Sequence, residues 1–183
     1  PGWHLARWTE ALIEHFAGSS GKDKLYTFDS SWDSEPIIQT FAKLKEWTDL
    51  GYFLDGYVSL SGSDARSFLY SGDGVIDPEG TWMESNINND QMDPGLFGYC
   101  KLPVGDRMSS FIEMIQLNAN LTDAELEAAV KFVEFLYSPE SVANYGALLK
   151  QPIPRRDNSL PAELVFTPMM IDDFVKHGGY TII

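Results

Sequence analysis

The chain has 183 residues, of which 13 are Lys or Arg and 27 are Asp or Glu, so its formal net charge is −14 at pH 7. Hydrophobic residues make up 44 % of it and aromatic residues 13 %, which is enough for a packed core and argues against intrinsic disorder. The acidic balance disfavours nucleic acid and anionic membranes as partners, because both are bound through clusters of Lys and Arg. No apolar run is long enough to predict a membrane span, and no signal segment is recognisable.

Helices are predicted first in the N-terminal half. Apolar residues three and four apart predict a helix over 5–17, which should stop at the glycine- and serine-rich residues that follow. Pro36 begins a second helix with a regular apolar face, and Gly51 ends it. Ser61 is placed to cap a further short helix.

Helices are also expected in the C-terminal half. Thr122 and Glu125 form a capping box, in which each side chain satisfies the other residue's free backbone amide, and this pair opens an apolar helix. Shorter helices are predicted over 81–87, 139–149 and 168–176.

Strand-like segments are fewer. Val75 and Ile76 fit a short buried strand, and residues 96–103 and 111–117 are expected to form two more. Cys100 lies in the second of these, where a buried, inert thiol is expected. Because helices outnumber strands and the two alternate, the pattern predicts an α/β fold with few strands.

Motifs for metal binding or catalysis are missing. His4, His15 and His177 share no ligand spacing, so no metal or other cofactor is expected. Neither a nucleophile elbow nor a phosphate-binding glycine loop occurs. The acidic residues Asp73, Asp77, Glu79 and Glu84 could supply a carboxyl pair for glycoside hydrolysis, or could simply form a solvated loop with helix-capping duty.

Four of the five tryptophans divide by their sequence context. Trp8 and Trp47 lie on the apolar stripes of helices, which favours a place in the core. Trp3 and Trp82 instead stand beside glycine in segments that resemble loops. An indole on a loop offers an apolar face and one N–H donor, a combination that suits the C–H face of a sugar ring.

Several segments, in order along the chain, resemble one known family. They are residues 42–53, 65–76, 80–82 (Gly-Thr-Trp), 97–103, 128–140 (ending in Ser-Pro-Glu) and 152–156. Together they look like the extracellular solute-binding proteins of ABC importers, in the carbohydrate-binding branch. The resemblance covers about residues 1–157, whereas family members are roughly twice as long as this chain.

The resemblance implies a periplasmic-binding-protein-like (type II) α/β fragment. Residues 1–110 would form mainly the C-terminal lobe, and 111–157 would be a strand and helices that return to the N-terminal lobe. Residues 158–183 would be an irregular tail with a short helix. The full-length protein would be a two-lobed monomer that closes on its ligand by hinge bending.

The function that the resemblance implies is transport without chemistry on the ligand. The protein would bind a sugar or oligosaccharide in an interlobe cleft and deliver it to an ABC-type membrane permease. It would act outside the cytoplasm, in the periplasm or anchored by lipid to the cell surface. The expected ligand contacts are Trp82, Gly80, Trp3, His4, Asp77 and Glu79.

Two departures from the family and two alternatives remain. The family often has Ala-Met where Val75 and Ile76 stand, and a glycine-rich connection where this chain has residues 106–110.

A glycan-processing enzyme would need two of the acidic residues about 5–9.5 Å apart across a cleft. An interaction fragment would associate with itself through an exposed apolar face, which light scattering at several concentrations would detect.

Overall fold

The computed structural model describes residues 2–110, 114–152 and 160–181. About 60 % of it is helical, with one small parallel sheet, so the chain is a helix-rich α/β protein. No described helix is both long and apolar enough to cross a bilayer. The elements are α1 (Gly2–Tyr26), α2 (Glu35–Asp49), α3 (Gly62–Ser71), α4 (Trp82–Asn89), β1 (Met108–Ser110), α5 (Asp123–Leu136), α6 (Pro139–Leu149), α7 (Phe166–His177) and β2 (Gly179–Thr181).

The chain divides into two compact units. The first comprises Pro1–Gly80, Tyr99–Ser110 and Ile171–Ile183, and the second comprises Thr81–Gly98 and Phe111–Met170. The lobe ranges expected from the resemblance, 1–110, 111–157 and 158–183, stay predictions. Residues 111–113, 153–159 and 182–183, which belong to the second and third of these ranges, lie outside the described residues.

The core of the first unit forms where α1 and α2 meet. Ile13 and Leu25 of α1 pack with Ile37 of α2, at 3 %, 2 % and 5 % exposure. The predicted end of the first helix after residue 17 is a kink instead. Gly18 adopts φ 69° and ψ 166°, a conformation open to glycine, and the helix then resumes as far as Tyr26.

The sheet of the first unit is short and parallel. Met108 lies opposite Gly179, and Ser109 lies opposite the buried Tyr180. The strands expected earlier in the sequence are wrong where the structure describes them. Val75 and Ile76 are irregular and 89 % and 58 % exposed. A β-branched pair becomes a strand only when a neighbouring strand can complete its ladder.

The segments expected as strands around Cys100 and after Ser110 also differ from the prediction. Residues 97–102 and 114–117 have no strand pairing, and 111–113 lie outside the described residues. Cys100 is exposed rather than buried, and the irregular segment that carries it has no strand partner among the described residues.

The helices of the second unit confirm the local sequence signals. Thr122 and Glu125 form the predicted capping box at the start of α5, with Thr122 N–H donating to Glu125 Oε2 at 2.9 Å. Ser138 caps α6, whose first residue is proline. Phe132 and Phe135 of α5 are 60 % and 64 % exposed. Self-association through such an apolar face stays a prediction.

Candidate functional site

A pocket of about 530 Å³ opens in the first unit, and aromatic rings form much of its wall. Trp8 of α1 meets Trp47 of α2 edge to face, with ring centroids 5.6 Å apart at 81°. Trp47 also contacts Phe53 at 6.3 Å, and Phe53 stacks on Tyr57 at 4.8 Å and 26°. These four rings, hereafter the aromatic wall, form one chain of ring contacts.

The aromatic wall depends on how α2 ends. Tyr52 N–H donates to the Trp47 carbonyl at 3.0 Å, and Gly51 N–H donates to the Thr48 carbonyl at 3.0 Å. Gly51 has φ 73°, so the two hydrogen bonds form a Schellman cap with glycine in its left-handed position. The cap reverses the chain and brings Phe53 back against the last turn of the helix.

Polar groups are few in this pocket. His4 and Asp77 both line it, as does Asp73, while α3 contributes Phe68 and Leu69. An apolar enclosure with a small number of polar groups is the usual construction of a small-molecule site.

His4, Asp77 and Glu79 meet at the polar side of the pocket and are hereafter called the His4 cluster. His4 Nε2 lies 3.6 Å from Asp77 Oδ1 and 3.5 Å from Glu79 Oε1. The three side chains are only 9 %, 8 % and 6 % exposed. Trp3 stacks on the His4 ring with centroids 3.8 Å apart at 28°, and Arg66 Nη1 lies 3.8 Å from Glu79 Oε1.

Burial governs ionisation in the His4 cluster. It lowers the pKa of His4 to about 4, and the positive charge of Arg66 acts in the same direction. Burial also raises the pKa of Asp77, an effect that the charge of Arg66 opposes. The His4 imidazole is therefore neutral at pH 7, so its approach to the carboxylates is not an ion pair.

The structure brings four of the six predicted ligand contacts together. Trp3, His4, Asp77 and Glu79 are in direct or near contact, and Gly80 follows Glu79 in the chain. Trp82 belongs to the second unit. Among the described residues, the lining of this pocket does not include Trp82.

The expected placement of the tryptophans is corrected in two ways. Trp3 and Trp82 are not on loops, since Trp3 lies in the first turn of α1 and Trp82 is the first residue of α4. Trp8 and Trp47, expected in the core, are half-buried and line the pocket. An apolar stripe predicts which face of a helix turns inward, but not whether the space beside it is filled. The aromatic residues on both sides of Gly51 are the sequence signal that could have indicated the wall.

The other acidic residues have separate roles. Glu84 is buried in the second unit, where its carboxylate accepts hydrogen bonds from the backbone N–H groups of Val165, Phe166 and Thr167. Glu84 therefore caps the start of α7. Helix capping is one of the two roles that the sequence analysis gave for the acidic residues. Asp73 is exposed and accepts a hydrogen bond from Ser71 Oγ at 2.7 Å.

No family model, curated protein or solved structure matches the chain. The resemblance to solute-binding proteins therefore rests on the sequence segments named above, and the candidate site rests on the geometry of the pocket.

Proposed function

We propose that the chain is a solute-binding protein that holds a sugar or oligosaccharide without changing it chemically, with the pocket of the first unit contributing to the binding site. The periplasmic-binding-protein-like fold, the delivery of the ligand to an ABC permease and the location outside the cytoplasm are parts of the same proposal. These parts are supported by the sequence resemblance alone.

The aromatic wall is the observation that carries the proposal. Sugar rings present C–H faces that pack on indole and phenol rings, while their hydroxyl groups bond to a few polar side chains. The pocket offers Trp8 and Trp47 for the first purpose and His4 and Asp77 for the second. Its volume of about 530 Å³ lies within the range of roughly 300–1,000 Å³ that is usual for small-molecule sites.

Glycan hydrolysis is the alternative function, and it needs two carboxyl groups across a cleft. Of the four acidic candidates, Asp77 and Glu79 meet in the His4 cluster, where both lie against the His4 imidazole. Glu84 is occupied by the backbone of α7, so it is not available as an acid or base there.

A saccharide panel with matched tryptophan variants tests the proposal. Glucose, maltotriose, xylotriose and chitotriose would be titrated while intrinsic fluorescence and heat are recorded. Binding of at least one of them is expected, and Trp47→Leu should weaken it about two- to tenfold, as expected for one lost aromatic contact. Trp32→Leu is the matched control, because Trp32 is 46 % exposed and outside the pocket lining.

Trp82→Ala tests the ligand contact that the sequence predicts at Trp82, whereas Trp47→Leu tests the pocket of the first unit. If Trp82 also contacts the ligand, its removal abolishes part of the fluorescence quenching. The proposal is wrong if no saccharide binds, or if Trp47→Leu and Trp32→Leu bind the ligand as the unaltered chain does.

A further inference from the structure

The His4 cluster combines a donor atom of α1 with two donor atoms of a segment more than 70 positions later in the chain. His4 comes from the first turn of α1, whereas Asp77 and Glu79 come from the irregular segment after α3. One donor atom from each side chain lies within 4.8 Å of the others. One imidazole nitrogen and two carboxylate oxygens are ordinary ligands for a divalent transition metal.

The separations within the cluster fit a bound cation. Ligand distances of about 2.0–2.2 Å around a tetrahedral zinc ion place neighbouring donor atoms about 3.4 Å apart. His4 Nε2 lies 3.6 Å from Asp77 Oδ1 and 3.5 Å from Glu79 Oε1. A metal ion could therefore sit between these atoms with only small side-chain movements.

Buried polar atoms without partners are the second, independent observation. Three buried atoms of the cluster have no hydrogen-bond partner among the described residues. They are Nδ1 and Nε2 of His4 and Oδ2 of Asp77. Buried polar atoms nearly always have a hydrogen-bond partner, because a polar atom that loses its hydrogen bonds to water and gains no new one costs free energy. A cation bound at His4 Nε2 would give a partner to a buried nitrogen that has none among the described residues.

The charge of the cluster also favours a cation. Two carboxylates, those of Asp77 and Glu79, lie within this buried cluster, with the guanidinium Nη1 of Arg66 at 3.8 Å from Glu79 Oε1. The attraction between a carboxylate and a divalent ion is stronger at a buried site than in water.

We propose that His4, Asp77 and Glu79 bind one divalent cation of the zinc type, with a fourth position left for water or a ligand. The mixed nitrogen and oxygen donors favour Zn²⁺ over Ca²⁺ and Mg²⁺, which prefer six or more oxygen ligands. Because His4 and Asp77 also line the pocket, the ion would lie at its edge. The metal site shares His4 and Asp77 with the proposed sugar site, but metal binding is measured without a sugar, so either proposal can fail while the other stands.

Direct metal binding tests the assignment. The chain would be treated with EDTA, dialysed, and titrated with Zn²⁺, Mg²⁺ and Ca²⁺ by calorimetry, with bound metal counted by mass spectrometry. One Zn²⁺ per chain is expected, bound at least 100-fold more tightly than Mg²⁺ or Ca²⁺. Asp77→Asn and Glu79→Gln should each weaken Zn²⁺ at least tenfold. Asp55→Asn is the matched control, because Asp55 is an exposed carboxylate of the first unit outside both the pocket lining and the His4 cluster, and its removal should leave the affinity unchanged.

A measurement on the unaltered chain keeps the assignment falsifiable if a variant fails to fold, which circular dichroism would reveal. Co²⁺ bound at this site should give the intense visible absorption of a four-coordinate complex, and Zn²⁺ should displace it. The assignment is overturned if no stoichiometric Zn²⁺ binds, if Co²⁺ gives only the weak spectrum of the hydrated ion, or if folded Asp77→Asn and Glu79→Gln chains bind Zn²⁺ unchanged.

Discussion

Arg107 donates two hydrogen bonds to the carboxylate of Glu14, from Nε at 2.7 Å and from Nη2 at 2.9 Å. The Glu14 side chain is fully buried in α1, and Arg107 immediately precedes β1. Burial by itself would raise the pKa of Glu14, but the hydrogen bonds from Arg107 and Ser19 lower it overall. The pair therefore holds the start of the sheet against the first helix.

Removing the guanidinium should be costly for the first unit. Arg107→Met removes the guanidinium that pairs with the buried Glu14 carboxylate and leaves the Ser19 hydroxyl as a hydrogen-bond donor to it, and we expect a loss of about 3–5 kcal/mol in the free energy of unfolding. Urea denaturation at pH 7 measures this loss. Lys45→Met is the control, because the exposed Lys45–Asp49 pair should contribute less than about 1 kcal/mol. Equal effects of the two substitutions would contradict the importance of the buried pair.

Glu84 should stabilise the second unit in a way that depends on pH. Burial would raise its pKa, but the N–H groups of Val165, Thr167 and Phe166 and the Thr167 hydroxyl lower it overall. Its contribution is thus present above the ordinary glutamate pKa and is lost as pH falls through the lowered value. Glu84→Gln should cost about 1–3 kcal/mol for each donor left unsatisfied at pH 7.

The pH dependence distinguishes this cap from a merely buried side chain. Unfolding free energies of the unaltered chain and of Glu84→Gln, measured from pH 7 down to pH 3, should converge in the acid range. Glu140→Gln, in the exposed first turn of α6, is the control and should change little. A constant difference across that range would argue against the ionised cap.

Lys22 is the most unusual buried charge in the described part of the first unit. Its side chain has no exposed surface, its Nζ donates to the Glu10 carbonyl at 2.9 Å, and it lies over the Tyr180 ring. Burial lowers its pKa to about 7, although the nearby Glu10 and Glu14 act in the opposite direction. The ammonium form is therefore disfavoured in the folded chain.

This shift predicts that stability rises with pH above neutrality. Lysine in an unfolded chain has a pKa of about 10.5, so between pH 7 and that value unfolding takes up a proton, and raising the pH opposes unfolding. Urea denaturation at pH 7, 8 and 9 should show increasing stability for the unaltered chain and a weaker increase for Lys22→Met. Lys24→Met, exposed on the same helix, should keep the original slope. Identical slopes for all three chains would refute the prediction.

The predictable part of the fold came from local signals. The capping box at Thr122 and the helix that begins near Pro36 are set by residues within one turn of each other, so sequence alone identifies them. The strand at Val75 and Ile76 was predicted wrongly, because strand pairing depends on a distant segment that sequence spacing does not reveal. The burial predicted for Cys100 is wrong for the same reason, because it depended on a strand that does not form.

The candidate site also combines features that the sequence predicts with features that depend on the tertiary structure. Sequence determined the acidic charge, most of the helices and their caps, and it selected Trp3, His4, Asp77 and Glu79 as residues of interest. Only the tertiary structure decided that the imidazole of His4 meets two carboxylates more than 70 positions away, and that Trp8 and Trp47 border a pocket instead of filling a core. Helix formation depends on interactions over three or four residues, whereas a pocket or a ligand cluster depends on the path of the whole chain.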